Sequence, residues 1–424
     1  MLIEFFGRNF GSFRDEFHLS MLAADIDPDD ERGVVEVQLE GEEEPLRLLR
    51  CAAIYGPNAS GKSNVLQAAH ALEYLLRDSA NLASDDPLGP YEPFLLDDSS
   101  PGQPIMLGLR AVVDSRVYEY NIEFEQMRFV KEELVEIRPD KPVPLFTRQE
   151  QSVKGPWTSN RQFELLATSF RPNALLLSLA DGLAPDLAGG ITVGFRRLLG
   201  FHDPTIPTLT FPAHRAQHSA RRATEDREGF GNWLLEWLRS ADVGVVDYVA
   251  KRMSDEPHRD EEDMADARPR IEFRLDLLHA GSHGPVKMSY FRESMGTRKM
   301  VELAPFVYEL TNGDEIRSYF IDEIGASVHP HLLEAMVRYF NCEVGSESVR
   351  GQLIFATQET TLLDAEAKDA TLRRDQVYFT EKDASGVSRL YSLAEFKERN
   401  NLNLRRRYLH GRYGALPALG RFGG

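Results

Sequence analysis

The chain has 424 residues, 42% apolar and 27% charged, a globular balance that can bury one large core or two to three smaller ones. A net charge of −18 excludes a surface that wraps nucleic acid throughout, because binding to phosphate backbones is driven by Lys and Arg. There is no apolar run long enough to span a bilayer, "MLIEFFGRNF" carries an acid where a signal peptide is basic, and Cys51 and Cys342 are too few for a disulfide framework, so the sequence predicts a cytoplasmic protein with two structural thiols.

At the N-terminus "LIEFF" and "FHLSML" flank "GRNFGSFRD" and predict a hairpin-like pair of strands, followed by a turn at "DIDPDDERG". "LRCAAIYG" is an apolar strand that stops at Gly56. "GKSNVLQAAHALEYLLRD" has a helical period, with Val65, Leu66, Ala69, Leu72 and Leu76 on one side. Met106 to Val113 and Val117 to Phe124, separated by "DSR", predict an antiparallel layer.

Residues 160 to 270 turn to helix-like segments with polar joints, which predicts a helical insertion lobe over 151–285 between parts 1–150 and 286–424 of one α/β fold. Within it "FGNWLLEWL" places Phe230, Trp233, Leu234, Trp237 and Leu238 on one apolar helix face, read as core packing. "SDEPHRDEEDMADARPR" reads as a solvated loop. Further on, "SYFID" and "QLIFAT" are buried-type strands with the helix "HPHLLEAMVRYFN" between them. "QVYFTEKDASGVSRLYSL" predicts a hairpin turning at Asp383 to Gly386, and "RRRYLHGRYGALPALG" an irregular, glycine-rich tail.

The chemistry is concentrated in three places. Gly56, Pro57, Asn58, Ala59, Ser60, Gly61, Lys62 and Ser63 fit G-x-x-x-x-G-K-[ST] in full, and Asn64 continues into the helix. In such a loop backbone N–H groups face phosphate, the lysine reaches the β and γ oxygens and the serine hydroxyl serves Mg²⁺. The helix that follows adds the positive end of its dipole. "YFIDE" ends a strand in Asp322, a carboxylate for the metal shell, and Glu323, a base to orient and deprotonate a water. Since Lys62 and Asp322 lie far apart in sequence, a large insertion splits the site. In "FRESMGTRKM", Ser294 and Gly296 open the predicted helix "TRKMVELAPFVYEL"; alone this is an ordinary N-cap as readily as an anion site.

In this order, with "GASVHP" as a D-loop-like element, these motifs resemble the ATP-binding heads of the ABC, SMC and Rad50 superfamily. More narrowly, "ESMGTRKMVELAP", "IDEIGASVHPHLLEAM", "QLIFATQETTLLD", "LRRDQVYFTEKD" and "YLHGRYGALP" look like the prokaryotic defence ATPases of the RloA and AbiL type (AAA-15 and AAA-21-like), relatives of the OLD ATPases. The resemblance covers residues 1 to 70 and about 290 to 417. It implies a P-loop NTPase of ABC/SMC-head type: a mixed sheet core, an antiparallel β layer and a helical insertion lobe, with ATP and Mg²⁺ as ligands.

It also implies a homodimer that sandwiches ATP, in which Ser294, Gly296 and Thr297 contact the nucleotide held by the opposite subunit. Lys62 and Ser63 are then the phosphate and metal ligands, Asp322 the metal carboxylate and Glu323 the catalytic base. Gln358 replaces the histidine that commonly ends the next strand; an amide donates a hydrogen bond but carries no proton, so slow hydrolysis is expected. Gln103 stands as a guess for the Q-loop glutamine. The middle region shows no sustained heptads for long coiled coils, and no further acidic metal cluster follows Asp322. The expected role is an ATP-gated regulatory or sensor subunit of an anti-phage system that controls a separate effector, a nuclease. The alternatives are a DNA-engaging repair head using "HRAQHSARR" and "LRRRYLHGRY", whose arginines read first as structural ion pairs, and a nucleotide-loaded scaffold that hardly hydrolyses. No membrane contact is expected.

Overall fold

In the computed structural model, which describes residues 1–26, 30–202, 216–241, 243–253, 273–343, 351–363, 370–396 and 403–417, the chain forms two compact units. The first comprises Met1–His202, Asp314–Ile324 and Val337–Gly424, and the second Asp203–Gly313 and Gly325–Met336.

Within the first unit, β1 (Leu2–Arg8) pairs antiparallel with β2 (Phe17–Ser20), as the opening pattern predicts. β3 (Val34–Val37) and β4 (Leu46–Leu49) form a separate two-stranded ribbon. β5 (Cys51–Tyr55) is buried at every residue, as a strand covered on both faces must be. It is followed by α1 (Lys62–Asp78), whose five predicted inward residues are all buried. β6 (Ile105–Val113), β7 (Arg116–Phe124), β8 (Phe129–Ile137), β9 (Pro142–Gln149) and β10 (Ser152–Lys154) extend the first pair into a seven-stranded antiparallel sheet ordered β10-β9-β8-β7-β6-β1-β2. Helices α2 (Arg161–Ser169), α3 (Leu176–Leu183) and α4 (Pro185–Arg197) come next.

A second sheet holds the site. Its order is β11 (Gly200–His202), β15 (Arg317–Ile321), β16 (Gly351–Ala356), β5, β17 (Val377–Lys382) and β18 (Ser388–Ser392). All its pairs are parallel except the β17–β18 hairpin. One core joins the two sheets and α1, from Phe5 and Leu109 through Ile54 and Leu72 to Phe195 and Phe320.

A buried ion pair braces this core. Glu132 and Arg148 are both 0% exposed, 3.5 Å apart. The Glu132 carboxylate also accepts from the Tyr120 hydroxyl and from the N–H groups of Leu176 and Leu177, while Arg148 donates to the carbonyls of Ala174 and Pro172.

In the second unit α5 (Gln217–Glu225), α6 (Asn232–Ser240) and α7 (Met295–Asn312) pack with a three-stranded sheet of β12 (Val245–Arg252), β13 (Phe273–His279) and β14 (Val286–Ser289). Phe230, Leu234 and Leu238 are fully buried and Trp233 and Trp237 pack against them, as the helical spacing predicts. α8 (Pro330–Arg338) forms where "HPHLLEAMVRYFN" predicts it.

One expectation is modified, a second gains a detail, and a third falls outside the described residues. The stretch expected as a helical lobe divides: residues 151–202 belong to the first unit, because Leu176, Leu177, Ile191 and Phe195 join its core, and the second unit contains a sheet as well as helices. The tail, expected to end in glycine-rich irregular structure, carries a short helix before that end, α9 (Leu404–Leu409), with the Asn403 side chain accepting from the Arg406 N–H at its start. Residues 254–270, read as a solvated loop, lie outside the described residues. Among the described residues no helix is long and apolar enough to cross a membrane. Cys51 is buried and Cys342 half-buried; both are free, and burial pushes both thiols up, as inert structural cysteines require.

Candidate nucleotide site

β5 delivers the chain to Gly56, where the backbone turns at φ +155°. A Cβ there would lie 2.4 Å from Thr380 Oγ1 and 2.5 Å from the Thr380 carbonyl oxygen, so only glycine fits. Gly61 has φ +110°, and its Cβ would lie 2.7 Å from Ser388 Oγ. Ala59 also takes the left-handed conformation, at φ 61°. α1 begins at once after Gly61 with no side-chain cap and no acid in its first turn, which leaves its first N–H groups to an anion.

The Lys62 side chain curls back over this loop. Its Nζ donates to the carbonyls of Gly56 at 2.8 Å and Pro57 at 3.1 Å, and the residue is 6% exposed. Burial lowers the pKa of the ammonium, while the charges of Asp322 and Glu323 pull it up. Ser63 is half-buried on the first turn of α1.

The acids arrive from β15. Asp322 is 6% exposed and accepts from the Glu323 N–H at 2.9 Å; Glu323 is exposed, with φ 45°. β15 does not neighbour β5, because β16 runs between them with Ile321 opposite Phe355 and Ala356 opposite Ile54. The end of β16 thus carries Thr357 and exposed Gln358 to a place between the acids and the loop. Thr357 N–H donates to Ile54 O at 3.1 Å, and Ile324 N–H to Ala356 O at 3.2 Å, which fixes both strand ends. Residues 56 to 64, Asp322, Glu323 and Gln358 are thereby brought to one end of one sheet.

Ser294, Gly296 and Thr297 lie in the second unit. Ser294 caps α7: its Oγ accepts from the Thr297 N–H at 3.1 Å and lies 2.8 Å from Thr297 Oγ1. A Cβ on Gly296 would stand 3.0 Å from the Ser327 carbonyl oxygen. Gln103 is exposed, and its carbonyl accepts from Asn9 Nδ2.

Three residues at the loop escape a reading of the sequence. Thr380, fully buried on β17, has Oγ1 2.5 Å from Ser60 Oγ and donates to Tyr55 O at 3.3 Å. Ser388 Oγ donates to Ser12 Oγ at 2.7 Å, and Ser388 N–H to Ser12 O at 2.8 Å. Ser12 Oγ also accepts from Asn64 Nδ2 at 2.9 Å. The β17–β18 hairpin and the loop after β1 therefore brace the glycine loop from outside. The one local hint is the Gly11-Ser12 pair; the hairpin residues carry no signal until β17 is known to pair with β5.

Strand, glycine loop and helix, with a further parallel strand between the loop strand and the acidic strand, are the build of a P-loop ATPase core. The chain belongs to the family described as "AAA domain, putative AbiEii toxin, Type IV TA system", whose sequence model matches residues 51–364. No curated protein matches it. Among solved structures, the SmcHead bound to the C-winged helix domain of ScpA shares 12% identity over 92% of this chain and 97% of that one, with a TM-score of 0.46. The SMC head domain from Thermotoga maritima shares 12% identity over 92% of this chain and 98% of that one, with a TM-score of 0.38. At those scores neither adds to what strand order and family establish.

Proposed function

We propose that the protein binds and hydrolyses ATP, that two copies close on the nucleotide, and that the closed pair regulates a separate effector in defence against phage. The observation that supports this most is that β16 runs between the loop strand and the acidic strand, so that Glu323 and Gln358 follow neighbouring strands at the sheet end that carries the loop. In this reading the loop amides and Lys62 bind and orient the β and γ phosphates. The cradle fits phosphate because Cβ atoms at Gly56 and Gly61 would collide with its braces, and because the Lys62 ammonium bonds only carbonyls there. Ser63 and Asp322 would hold Mg²⁺, which supplies charge to the phosphate oxygens. Glu323 orients the water and accepts its proton; Gln358 donates a hydrogen bond to the phosphate side but accepts no proton.

Ser294, Gly296 and Thr297 act in trans on the partner's nucleotide, so ATP favours the closed pair because only that state makes those contacts. Glu323→Gln, which binds without turnover, tests this. Its mass should double with MgATP, and the product of the adjacent gene should co-purify with it. An unchanged mass with no adjacent product retained contradicts the proposal.

A further inference from the structure

α7, which begins at the Ser294 cap, runs on to Asn312 with Pro305 inside it. A proline has no N–H to give the carbonyl four residues earlier, and its ring crowds that carbonyl. Val301 O therefore has no donor from position 305, and α7 has a joint between a tip half, 295–304, and a base half, 305–312.

The neighbouring helices of the second unit close that joint. Ser219, fully buried on α5, donates from Oγ to Val301 O at 2.5 Å, in place of the missing N–H. Three residues further along α5, Arg222 pairs with Glu309 in the base half, and its guanidinium lies 5.2 Å from the centre of the Tyr308 ring. Next to the proline itself, the rings of His218 and Phe306 meet edge to face at 5.8 Å. α5 thus holds both halves of α7. From α6, Trp237 Nε1 adds a bond to Met300 O in the tip half at 3.0 Å.

We infer that Ser219 is a positioning residue for the composite ATP site: with Arg222 it makes α5 a splint across Pro305, which aims the Ser294 cap at the partner's nucleotide. This rests on the proposed action of Ser294, Gly296 and Thr297 in trans. Ser219 acts only through α7. At a rise of about 1.5 Å per residue the cap stands about 10 Å from Val301, so a swing of about 6° at the joint moves it about 1 Å. A misplacement of about 1 Å can cost about a hundredfold in rate.

The test mixes Ser219→Ala in equal amounts with Lys62→Ala or with Ser294→Arg and reads ATP turnover. Alone, Ser219→Ala should turn over about tenfold more slowly than the wild type. With Lys62→Ala, the working site of a mixed pair takes its loop from the Ser219→Ala copy and its cap from the copy whose splint is whole, so turnover should reach about a quarter of the wild type. With Ser294→Arg the cap must come from the Ser219→Ala copy, and turnover should be about fivefold lower than in the first mixture. A fold merely weakened by the substitution would lower both mixtures alike. Pro305→Ala returns an N–H to Val301 O, so adding it to Ser219→Ala should raise turnover at least about fivefold. Equal mixtures, or no rise on adding Pro305→Ala, overturn the inference while sparing the action in trans. If Lys62→Ala mixed with Ser294→Arg regains nothing, the action in trans fails and the inference falls with it.

Discussion

Ser60 in the glycine loop and Thr380 on β17 share a hydroxyl-to-hydroxyl contact of 2.5 Å across 320 residues of sequence. Thr380 is fully buried, so Val, of equal shape, removes the bond and leaves Ser60 facing an apolar wall. Losing one partner of a buried hydrogen bond costs about 1–3 kcal/mol. Thr380→Val should weaken MgATP binding about tenfold, and Thr380→Ser should restore it. If both variants bind alike, the hydroxyl has no part in shaping the loop.

Lys62 gives a pH test. Burial lowers its pKa, so in the interval below the ordinary 10.5 the unfolded chain holds more protons than the folded one. Stability therefore gains from this group as pH rises through that interval. Comparing thermal midpoints of wild type and Lys62→Met from about pH 8 to about pH 10, the difference should move in favour of the wild type. The variant should also lose any stabilisation by MgATP. A difference constant with pH contradicts the account of Lys62.

Gln358 lies two residues beyond β16, the strand between the loop strand and the acidic strand. An imidazole there can hold a proton that the amide cannot. Gln358→His should raise the steady-state turnover of ATP by at least about tenfold with Kd little changed, a floor set below the roughly 10²–10⁴-fold that proton transfer by a positioned side chain contributes. No rise counts against slow hydrolysis as the work of the glutamine.

The Glu132–Arg148 pair predicts a stability effect away from the site. Arg148→Met leaves a carboxylate buried without its cation, a loss of about 3–5 kcal/mol at neutral pH. Burial already raises the Glu132 pKa above its ordinary 4.5, and the variant raises it further. With a raised folded pKa, the contribution is present below the unfolded value and lost as pH climbs through the folded one. Urea unfolding should therefore show the deficit shrinking as pH falls toward about 4.5; a deficit that stays constant contradicts this.

Much of the first unit was legible because its information is local. Gly56 to Ser63 announce a loop between an apolar strand and a periodic helix, and "YFIDE" announces a strand ending in acids. What local pattern cannot state is which strands become neighbours. That β16 stands between β15 and β5, and that the β17–β18 hairpin brings Thr380 and Ser388 against the loop, follows from pairings between residues hundreds of positions apart. The sheet of the second unit was missed for the same reason: β12 finds its partner in β13 across residues 254–270, whose charge obscures the alternation on either side.

The central claim is that each nucleotide is completed by the helix cap of a second copy. Lys62→Ala and Ser294→Arg should each be inactive alone. Mixed in equal amounts, half the pairs are mixed, and each mixed pair holds one intact composite site, so the ATPase rate should recover to about a quarter of the wild type. If the mixture shows no more activity than the two variants measured apart, Ser294 does not act across a pair and the mechanism fails.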